Sequence, residues 1–403
     1  MSTRLAKRLE VIQPSATLAV SARAAALRAA GRTIYPFGVG EPDFDTPEHI
    51  REAAKRAIDG GAHRYTNVSG TPELRKAIAA QSERVRGVPC APEQVVASVG
   101  AKHALFNLAL ALYESGDEVI IPAPYWVSYP EQVRLAGASP VIVETAEEQG
   151  FLLTPEALES ALTARTKAVI LCTPSNPTGS AYSERALRDL LAVLAPHDTW
   201  LIVDEIYGSL VYDGFRAVSA LSLAGEAQRE RIIVIDGVSK SYAMTGWRIG
   251  WSIAPAHVSK ALDVVQGQST TNPTAVAQAA AVAALSSDQS SVEIMRQRFE
   301  ARRNRIVAAL NGVPGVRCRT PEGAFYAFAD CRGLLGLKSQ HAPSGVLEND
   351  LDLAKFLIEE AGVAAVPGSA FGAPGYMRFS YATSEGVIDQ GITAMRAAVE
   401  RAR

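Results

Sequence analysis

The segment Arg231–Ile253, RIIVIDGVSKSYAMTGWRIGWSI, decides which fold the sequence implies. Its apolar run Ile232–Ile235 is short and ends in turn residues, which is typical of a buried strand. Lys240 is therefore predicted just beyond the carboxyl end of a strand, at the edge where open α/β sheets bind ligands. Arg248 lies between two glycines, which allow another backbone to approach closely. A lone lysine in such a loop is usually just exposed, but Lys240 and Arg248 together suit a nucleophilic amine beside an anion-binding site.

The same alternation of apolar segments and helical patterns extends through the middle of the chain. It predicts βαβ units and an α/β fold with a mainly parallel seven-stranded sheet. Two helices are predicted to begin at Thr46 and Thr71, each an N-cap hydroxyl followed by proline. The predicted strands are Gln94–Val99, Glu118–Ile121, Pro140–Glu144, Lys167–Cys172, Trp200–Asp204, Arg231–Ile235 and Arg248–Ile253.

The pattern changes after Ser287, which indicates a second, α+β unit. The first 45 residues, with a predicted helix Ala16–Ala30 and strand Thr33–Val39, lack partners in the βαβ series and are assigned to the same unit. We therefore predict a large domain of residues 46–287 and a smaller domain formed by residues 1–45 and 288–403. The later predicted elements are a helix Val292–Leu310, a strand around Phe325–Phe328, a helix Leu351–Ala361, two short strands ending near Tyr381 and a final helix.

The composition is that of an ordinary globular protein, with 48% hydrophobic and 20% charged residues among 403. The 40 Lys and Arg nearly balance the 42 Asp and Glu, so no basic excess is present to bind nucleic acid or an anionic membrane. The four cysteines are too dispersed for a metal or redox motif, and no metal site is predicted. No segment reads as a signal peptide or membrane span, so we expect a cytoplasmic protein.

Polar side chains follow several of the predicted strands. Asp204 ends the strand Trp200–Asp204, where an unpaired buried carboxylate would be unfavourable, and Tyr207 lies three residues later. A helix N-cap or an arginine is the ordinary partner for such a carboxylate, and a protonated heterocyclic nitrogen is the alternative. Asn176 follows another strand in an Asn-Pro turn, which either has only a turn role or directs its amide at a ligand.

Two further strand ends suit a flat, phosphorylated ligand. Beyond the first strand, Gly100 and Ala101 open a helix whose free backbone N–H groups can bind a phosphate, and Lys102 adds a charge. The G-x-G-x-x-G pattern of a dinucleotide site is absent, which excludes a nicotinamide dehydrogenase. Trp126 either packs in the core or stacks on the ligand. In the late strand, alternation places Arg378 opposite the apolar face, where it suits either a carboxylate ligand or a surface salt bridge.

From about Pro14 to Ala382, the sequence resembles the class I family of pyridoxal-phosphate-dependent aminotransferases. The spacing S-K-x-x-x-x-x-G-x-R-x-G from Ser239 to Gly250 carries the resemblance. The segments GEPDFDTP (Gly40–Pro47), YWVSYP (Tyr125–Pro130) and MTGWRIG (Met244–Gly250) are most similar to the bacterial aspartate aminotransferase branch. The resemblance implies fold type I of the pyridoxal-phosphate-dependent transferases, with its large and small domains.

The resemblance also implies a role for each residue at the cofactor. Lys240 would form a Schiff base with pyridoxal 5′-phosphate and move the proton at the substrate's α-carbon, while Asp204 would keep the pyridine nitrogen protonated. Tyr207 and Asn176 would bind the phenolic oxygen, and Trp126 would stack on the ring. The residues of the same chain that would bind the phosphate are Gly100, Ala101, Ser239 and Arg248. Tyr65 would reach the phosphate of a neighbouring subunit, so a homodimer is implied. Family members often have a serine where this chain has Gly237, which puts one phosphate contact in doubt.

For the substrate, Arg378 would bind the α-carboxylate, and the residues beside it would be Gly40, Trp126 and Asn176. Lys102 and Thr17 match residues associated with the distal carboxylate of aspartate or glutamate. The implied reaction is transfer of the amino group from L-aspartate to 2-oxoglutarate, which gives oxaloacetate and L-glutamate in two ping-pong steps. Relatives that also accept prephenate carry a basic residue where this chain has Gln13, so that activity is not expected.

Other functions of the same fold stay open at this point. An aminotransferase for aromatic or neutral amino acids is the first alternative, and a pyridoxal-phosphate-dependent β-lyase is the second. An effector-sensing module of a transcription regulator would need a DNA-binding extension, and only 13 residues precede Pro14.

Overall fold

The structure is a computed structural model that describes residues 5–14 and 16–403. It contains two β-sheets. The strands of the first sheet are β1 Val95–Ser98, β2 Glu118–Ala123, β3 Ser139–Glu144, β4 Thr166–Cys172, β5 Trp200–Asp204, β6 Ile232–Gly237 and β7 Gly250–Ile253. The strands of the second are β8 Arg317–Cys318, β9 Tyr326–Asp330, β10 Val366–Pro367 and β11 Tyr376–Ser380.

Helices surround both sheets. The α-helices are α1 Ala16–Ala29, α2 Glu48–Asp59, α3 Pro72–Arg86, α4 Ala101–Leu112, α5 Ser128–Leu135, α6 Pro155–Ala161, α7 Glu184–Leu194, α8 Ala220–Leu223, α9 Glu226–Arg229, α10 Ala256–Gly267, α11 Ala275–Ser286, α12 Ser290–Asn311, α13 Asp350–Glu360 and α14 Glu385–Ala402. Short 3-10 turns occur at Lys7–Leu9, Pro92–Gln94, Glu147–Gln149, Thr245–Trp247, Arg332–Leu334 and Gly368–Phe371. Within the described part of the chain, no helix combines the length and the apolar character that crossing a membrane requires.

The first sheet confirms all seven predicted strands, in the order β1-β7-β6-β5-β4-β2-β3. Every strand is parallel to the others except β7, which runs antiparallel to both of its neighbours. Apolar residues fill both faces: Leu201 and Val203 of β5 pack in one core cluster, and Ile202 between them packs in another. This burial of both faces explains why the strands are continuous apolar runs.

One predicted helix start is confirmed and one is wrong. The Thr71 hydroxyl caps α3 by accepting a hydrogen bond from the Leu74 N–H at 3.2 Å. Thr46 does not cap α2: its hydroxyl donates to the Ala243 carbonyl at 2.6 Å and accepts from Trp247 Nε1 at 3.0 Å. Long-range hydrogen bonds have therefore replaced the local cap that the sequence predicted.

The predicted strand Thr33–Val39 is also wrong. This segment forms a single isolated bridge, between Tyr35 and Val363. Pro36 has no N–H to donate, so a regular ladder cannot continue past it. The chain instead turns after Phe37, whose carbonyl accepts a hydrogen bond from the Ser380 N–H of β11 at 2.7 Å.

The second sheet is antiparallel, in the order β10-β11-β9-β8. As the alternation predicted, Met377, Phe379 and Tyr381 point into one buried cluster, which also contains side chains of α12, α13 and α14. The same cluster takes in Tyr207 and Tyr212, which follow β5 of the first sheet. The two sheets are thus linked by a shared apolar core beside the strand ends.

Candidate active site

A cavity of about 420 Å³ lies where the carboxyl ends of the parallel strands of the first sheet face β11 of the second. Parallel strands bring their carboxyl ends to one edge of a sheet, so residues far apart in sequence meet there. The predicted site residues that line the cavity are Thr17, Gly40, Ala101, Lys102, Trp126, Asn176, Asp204, Tyr207, Ser239, Lys240, Arg248 and Arg378.

Lys240 lies between β6 and β7, with its amine directed into the cavity. Its Nζ donates a hydrogen bond to the Gly40 carbonyl at 2.7 Å. Burial lowers the pKa of Lys240 to about 8, Glu41 opposes the shift, and the positive charges of Arg248 and Arg378 add to it. An amine with this pKa is partly neutral near pH 7, as a nucleophile or proton acceptor must be.

Asp204 ends β5 and is 4% exposed. Its Oδ2 accepts a hydrogen bond from the Tyr129 hydroxyl at 2.8 Å, and its Oδ1 accepts one from the Ile206 N–H at 3.2 Å. Burial raises the pKa of Asp204 to about 6, and the two hydrogen bonds oppose that rise. Among the described residues, neither an arginine nor a lysine forms an ion pair with Asp204, so this carboxylate can still accept a cationic partner from a ligand.

Arg378 lies in the middle of β11 and is 2% exposed. Its guanidinium donates to Asn176 Oδ1 at 2.8 Å and to the Gly38 carbonyl at 2.9 Å, and its Nε has no hydrogen-bond partner within the described chain. No carboxylate of the described residues pairs with it, so the alternative of a surface salt bridge is wrong. A buried guanidinium with an open hydrogen-bonding position suits an anionic ligand.

Two glycines shape the part of the cavity beside Arg248. Gly100 has φ +85° and precedes α4, and a Cβ on it would overlap the Arg248 guanidinium. A Cβ on Gly250 would overlap the backbone of Gly100 and Ala101. The first turn of α4 therefore lies directly against Arg248, and the N–H groups of that turn and the guanidinium are together suited to binding an anion.

The side of the cavity near α5 carries Trp126 and Lys102. Lys102 Nζ lies 5.0 Å from the centre of the Trp126 ring, and burial lowers the pKa of Lys102, with Arg248 adding to the effect. Thr17 of α1 lines the same cavity. Lys102 thus offers a positive charge to a second anionic group of a ligand in this cavity.

Two tyrosines that line the cavity, Tyr129 and Tyr326, were not among the predicted site residues. Tyr129 belongs to the segment Tyr125–Pro130 and lies three residues after Trp126, whose ring it contacts edge-on, and its place in that segment is a signal for its position. The Tyr326 hydroxyl lies 2.9 Å from the Tyr207 hydroxyl. Its position depends on the register of β9 against β11, and the sequence carries no signal for that register.

Two predicted residues are not cavity-lining. Gly100 contributes through its backbone position at the start of α4. Tyr65 is 90% exposed on the surface, away from the cavity of its own chain. No cluster of three His, Cys, Asp or Glu side chains suited to a metal ion occurs in residues 5–14 and 16–403.

Comparison with known proteins places this geometry in a family. The profile of the family described as "Aminotransferase class I and II" matches residues 32–395. The chain is 47% identical over 398 residues to "Aspartate aminotransferase" of Geobacillus stearothermophilus, covering 99% of this chain and 98% of that protein. It is 45% identical over 394 residues to "Aspartate/prephenate aminotransferase" of Cereibacter sphaeroides (strain ATCC 17029 / ATH 2.4.9), covering 98% of each.

The fold agrees with the sequence relationship. The crystal structure of the aspartate aminotransferase from Rhizobium meliloti superposes with a TM-score of 0.95 at 44% identity, covering 100% of both chains. The match extends over both sheets and over the strand ends that form the cavity. The chain therefore belongs to the aminotransferase class I and II family.

Proposed function

We propose that this chain is a pyridoxal 5′-phosphate-dependent aminotransferase that transfers the amino group of L-aspartate to 2-oxoglutarate, forming oxaloacetate and L-glutamate. One observation carries the proposal. A buried arginine with no carboxylate partner, Arg378, shares a cavity with a partly neutral amine, Lys240, and a buried carboxylate, Asp204. An α-amino acid needs this combination: a cation for its carboxylate and a base for its α-proton.

The residues of the cavity fit pyridoxal 5′-phosphate. The first turn of α4 and Arg248 suit the phosphate, with Ser239 nearby, and the glycines there allow Arg248 and that turn to lie against each other. Asp204 has no cationic partner in the described chain and suits a protonated ring nitrogen. Trp126 suits a ring-stacking role. When bound, the cofactor supplies an electrophilic carbon for the amine and an electron-withdrawing ring.

Each group of the chain then has a defined task. Arg378 binds the α-carboxylate of the substrate and orients the α-carbon toward Lys240, assisted by Asn176. Lys240 Nζ accepts the α-proton, which the lowered pKa of this amine permits. Asp204 stabilises positive charge on the ring nitrogen, and Tyr207 donates its hydroxyl hydrogen to the phenolic oxygen.

The choice of a dicarboxylic substrate rests on Lys102 and Thr17. Lys102 forms no ion pair within the described chain, and it lines the same cavity as Arg378. A second carboxylate on the substrate would supply the missing partner. The relatives named aspartate aminotransferase support this assignment.

The test is a spectroscopic and kinetic experiment on the purified protein supplied with pyridoxal 5′-phosphate. We expect a visible absorption band that L-aspartate bleaches and 2-oxoglutarate restores. Lys240→Ala should lack the band, because the amine that holds the cofactor is gone. A wild-type protein that stays colourless would refute the assignment of the cofactor.

A substrate panel tests the choice of amino acid. Alanine and phenylalanine are compared with aspartate as amino donors, and prephenate is compared with 2-oxoglutarate as amino acceptor. Each compound is measured with the wild type and with Lys102→Met. We expect aspartate to be preferred, and Lys102→Met to reduce kcat/KM for aspartate by about tenfold or more while changing that for alanine little. Faster turnover of alanine or phenylalanine by the wild type would overturn the role of Lys102. Release of ammonia without an amino acceptor would indicate a lyase.

A further inference from the structure

Tyr326 touches three groups of the candidate active site. Its hydroxyl is 2.9 Å from the Tyr207 hydroxyl, and the Arg378 guanidinium lies 4.5 Å from the centre of its ring. Its hydroxyl also borders Gly40, where a Cβ would come within 3.0 Å of it. Tyr326 itself is fully buried in β9. One side chain therefore contacts both the tyrosine assigned to the cofactor and the arginine assigned to the substrate.

The hydrogen bond between the two tyrosines has a direction that follows from counting hydrogens. Each hydroxyl has one hydrogen to donate. Either oxygen can be the donor when the pair is considered alone. If Tyr207 donates its hydrogen to the phenolic oxygen of the cofactor, it must accept from Tyr326. The Tyr326 hydroxyl then has one possible role, which is to donate to Tyr207.

We propose that Tyr326 is a positioning residue with two actions: its hydroxyl orients Tyr207 toward the cofactor's phenolic oxygen, and its ring holds the Arg378 guanidinium in place for the substrate carboxylate. This inference rests on the proposed function. It adds Tyr326, which contacts both Tyr207 and Arg378 and itself binds neither the cofactor nor the substrate.

The first action has a measurable consequence at Lys240. A hydroxyl that accepts one hydrogen bond becomes a stronger donor in the next, so Tyr326 strengthens the donation by Tyr207. That donation would stabilise negative charge on the phenolic oxygen. A negative charge stabilised in this way depends less on the proton of the Lys240 nitrogen, so that proton is lost more easily. Removing the Tyr326 hydroxyl should therefore make this nitrogen hold its proton to higher pH.

The other charges around these groups stay the same when only that hydroxyl is removed. The Lys240 nitrogen is influenced by Glu41, Asp204, Arg248 and Arg378. The tyrosine pair is influenced by Arg378 and by the Cys172 thiol. Tyr326→Phe leaves all these side chains in place, so a shift in titration reports the lost hydroxyl.

The second action belongs to the ring. Arg378 contacts two aromatic rings, since the centre of the Phe371 ring also lies 5.0 Å from its guanidinium. Tyr326→Phe keeps the ring beneath the guanidinium, whereas Tyr326→Leu removes it. We expect Tyr326→Leu to raise the KM for L-aspartate several-fold, and Tyr326→Phe to leave that KM within about twofold of the wild type.

The decisive experiment is a double-mutant cycle on the protein loaded with pyridoxal 5′-phosphate. The pH midpoint of the visible band is measured in the wild type, Tyr326→Phe, Tyr207→Phe and the double variant. We expect Tyr326→Phe to raise the midpoint by about half a pH unit or more. In the Tyr207→Phe background the same substitution should leave the midpoint unchanged, because its route to the cofactor is gone.

Equal shifts in both backgrounds, or no shift with Tyr207 present, would overturn the first action of Tyr326. A KM equally raised by Tyr326→Phe and Tyr326→Leu would overturn the second. Thermal unfolding of each variant checks that it is folded before titration. Failure of the proposed function looks different, since then the wild type itself would form no band that L-aspartate bleaches.

Discussion

At the scale of single residues, the site combines groups whose burial changes their charge. Burial lowers the pKa of Lys240 to about 8 and raises the pKa of Asp204 to about 6. Both shifts arise mainly from desolvation, which disfavours the charged form of each group. The burial of these two groups therefore prepares the site for a charged ligand, and it is not optimal for the stability of the fold.

The lowered pKa of Lys240 predicts a stability effect in the cofactor-free protein. Lys240→Met should stabilise the fold at pH 7 by up to about 3 kcal/mol, because the wild type must bury a charge that the unfolded chain keeps in water. Between about pH 8 and 10.5 the unfolded state binds more protons than the folded state, so the stability of the wild type rises with pH. The advantage of the variant should disappear across that window.

Urea unfolding of both proteins measures this change at about pH 7, which lies below that window, and at about pH 8.5 and 10, which lie within it. Lys76→Met, on the exposed side of α3, controls for the loss of one lysine. A difference between Lys240→Met and the wild type that stays constant with pH would contradict the desolvation argument.

At the scale of elements, Arg86 of α3 ties two strand ends together. Its Nε donates to Glu205 Oε2 and its Nη2 to Asp236 Oδ2, both at 2.8 Å, and its side chain is 2% exposed. Glu205 directly follows Asp204, and Asp236 lies four residues before Lys240. The ion cluster therefore braces the two chain segments that present the active-site carboxylate and amine.

We expect Arg86→Met to lower the free energy of unfolding by about 3–5 kcal/mol, because two buried carboxylates would lose their counter-ion. Arg188→Met is the matched control, since Arg188 pairs with Glu184 on α7 while both side chains are more than half exposed. That control should change stability by less than about 1 kcal/mol. Equal losses of unfolding free energy in the two variants, measured by urea unfolding, would show that the buried ion pairs of Arg86 contribute no more to stability than the exposed pair of Arg188.

The elements also explain what the sequence could predict. The seven strands of the first sheet were predictable because each is an apolar run that ends in a polar or turn residue. The Thr33–Val39 error arose because Pro36 has no N–H to donate to a ladder. The Thr46 error arose because its hydrogen-bond partner, Ala243, is distant in sequence and close only in space. Lys240, Asp204 and Asn176 were predictable from their positions at strand ends. Tyr326 was not, because its place depends on strand register.

At the scale of the whole molecule, the two sheets meet at the cavity. Lys240 and Asp204 come from the first sheet and Arg378 from the second. We propose that residues 46–287 form the large domain and that residues 1–45 and 288–403 form the small one. In that division the amine and the arginine belong to different domains, so any movement between the domains changes the distance between the groups assigned to cofactor and substrate.

We propose that Tyr65 links the site to a second subunit. Its side chain is 90% exposed and lies outside the cavity of its own chain. The family resemblance assigns it to the phosphate of the neighbouring subunit in a homodimer. We therefore expect sedimentation of the purified protein to give a dimer, and Tyr65→Ala to weaken cofactor binding by about tenfold, because one hydrogen bond to a charged phosphate is lost.

A mixture of two defective variants tests whether the sites are shared. Lys240→Ala has no amine for the cofactor, and Tyr65→Ala binds the cofactor weakly. In a hybrid dimer, the Tyr65→Ala chain provides Lys240 to one site while its partner provides an intact Tyr65 to that same site. Random re-association of equal amounts should restore about a quarter of the wild-type sites, since half of the dimers are hybrids and each has one complete site of two. At limiting cofactor, activity should therefore exceed the mean of the separate variants. Activity equal to that mean would mean that Tyr65 serves its own chain or no site.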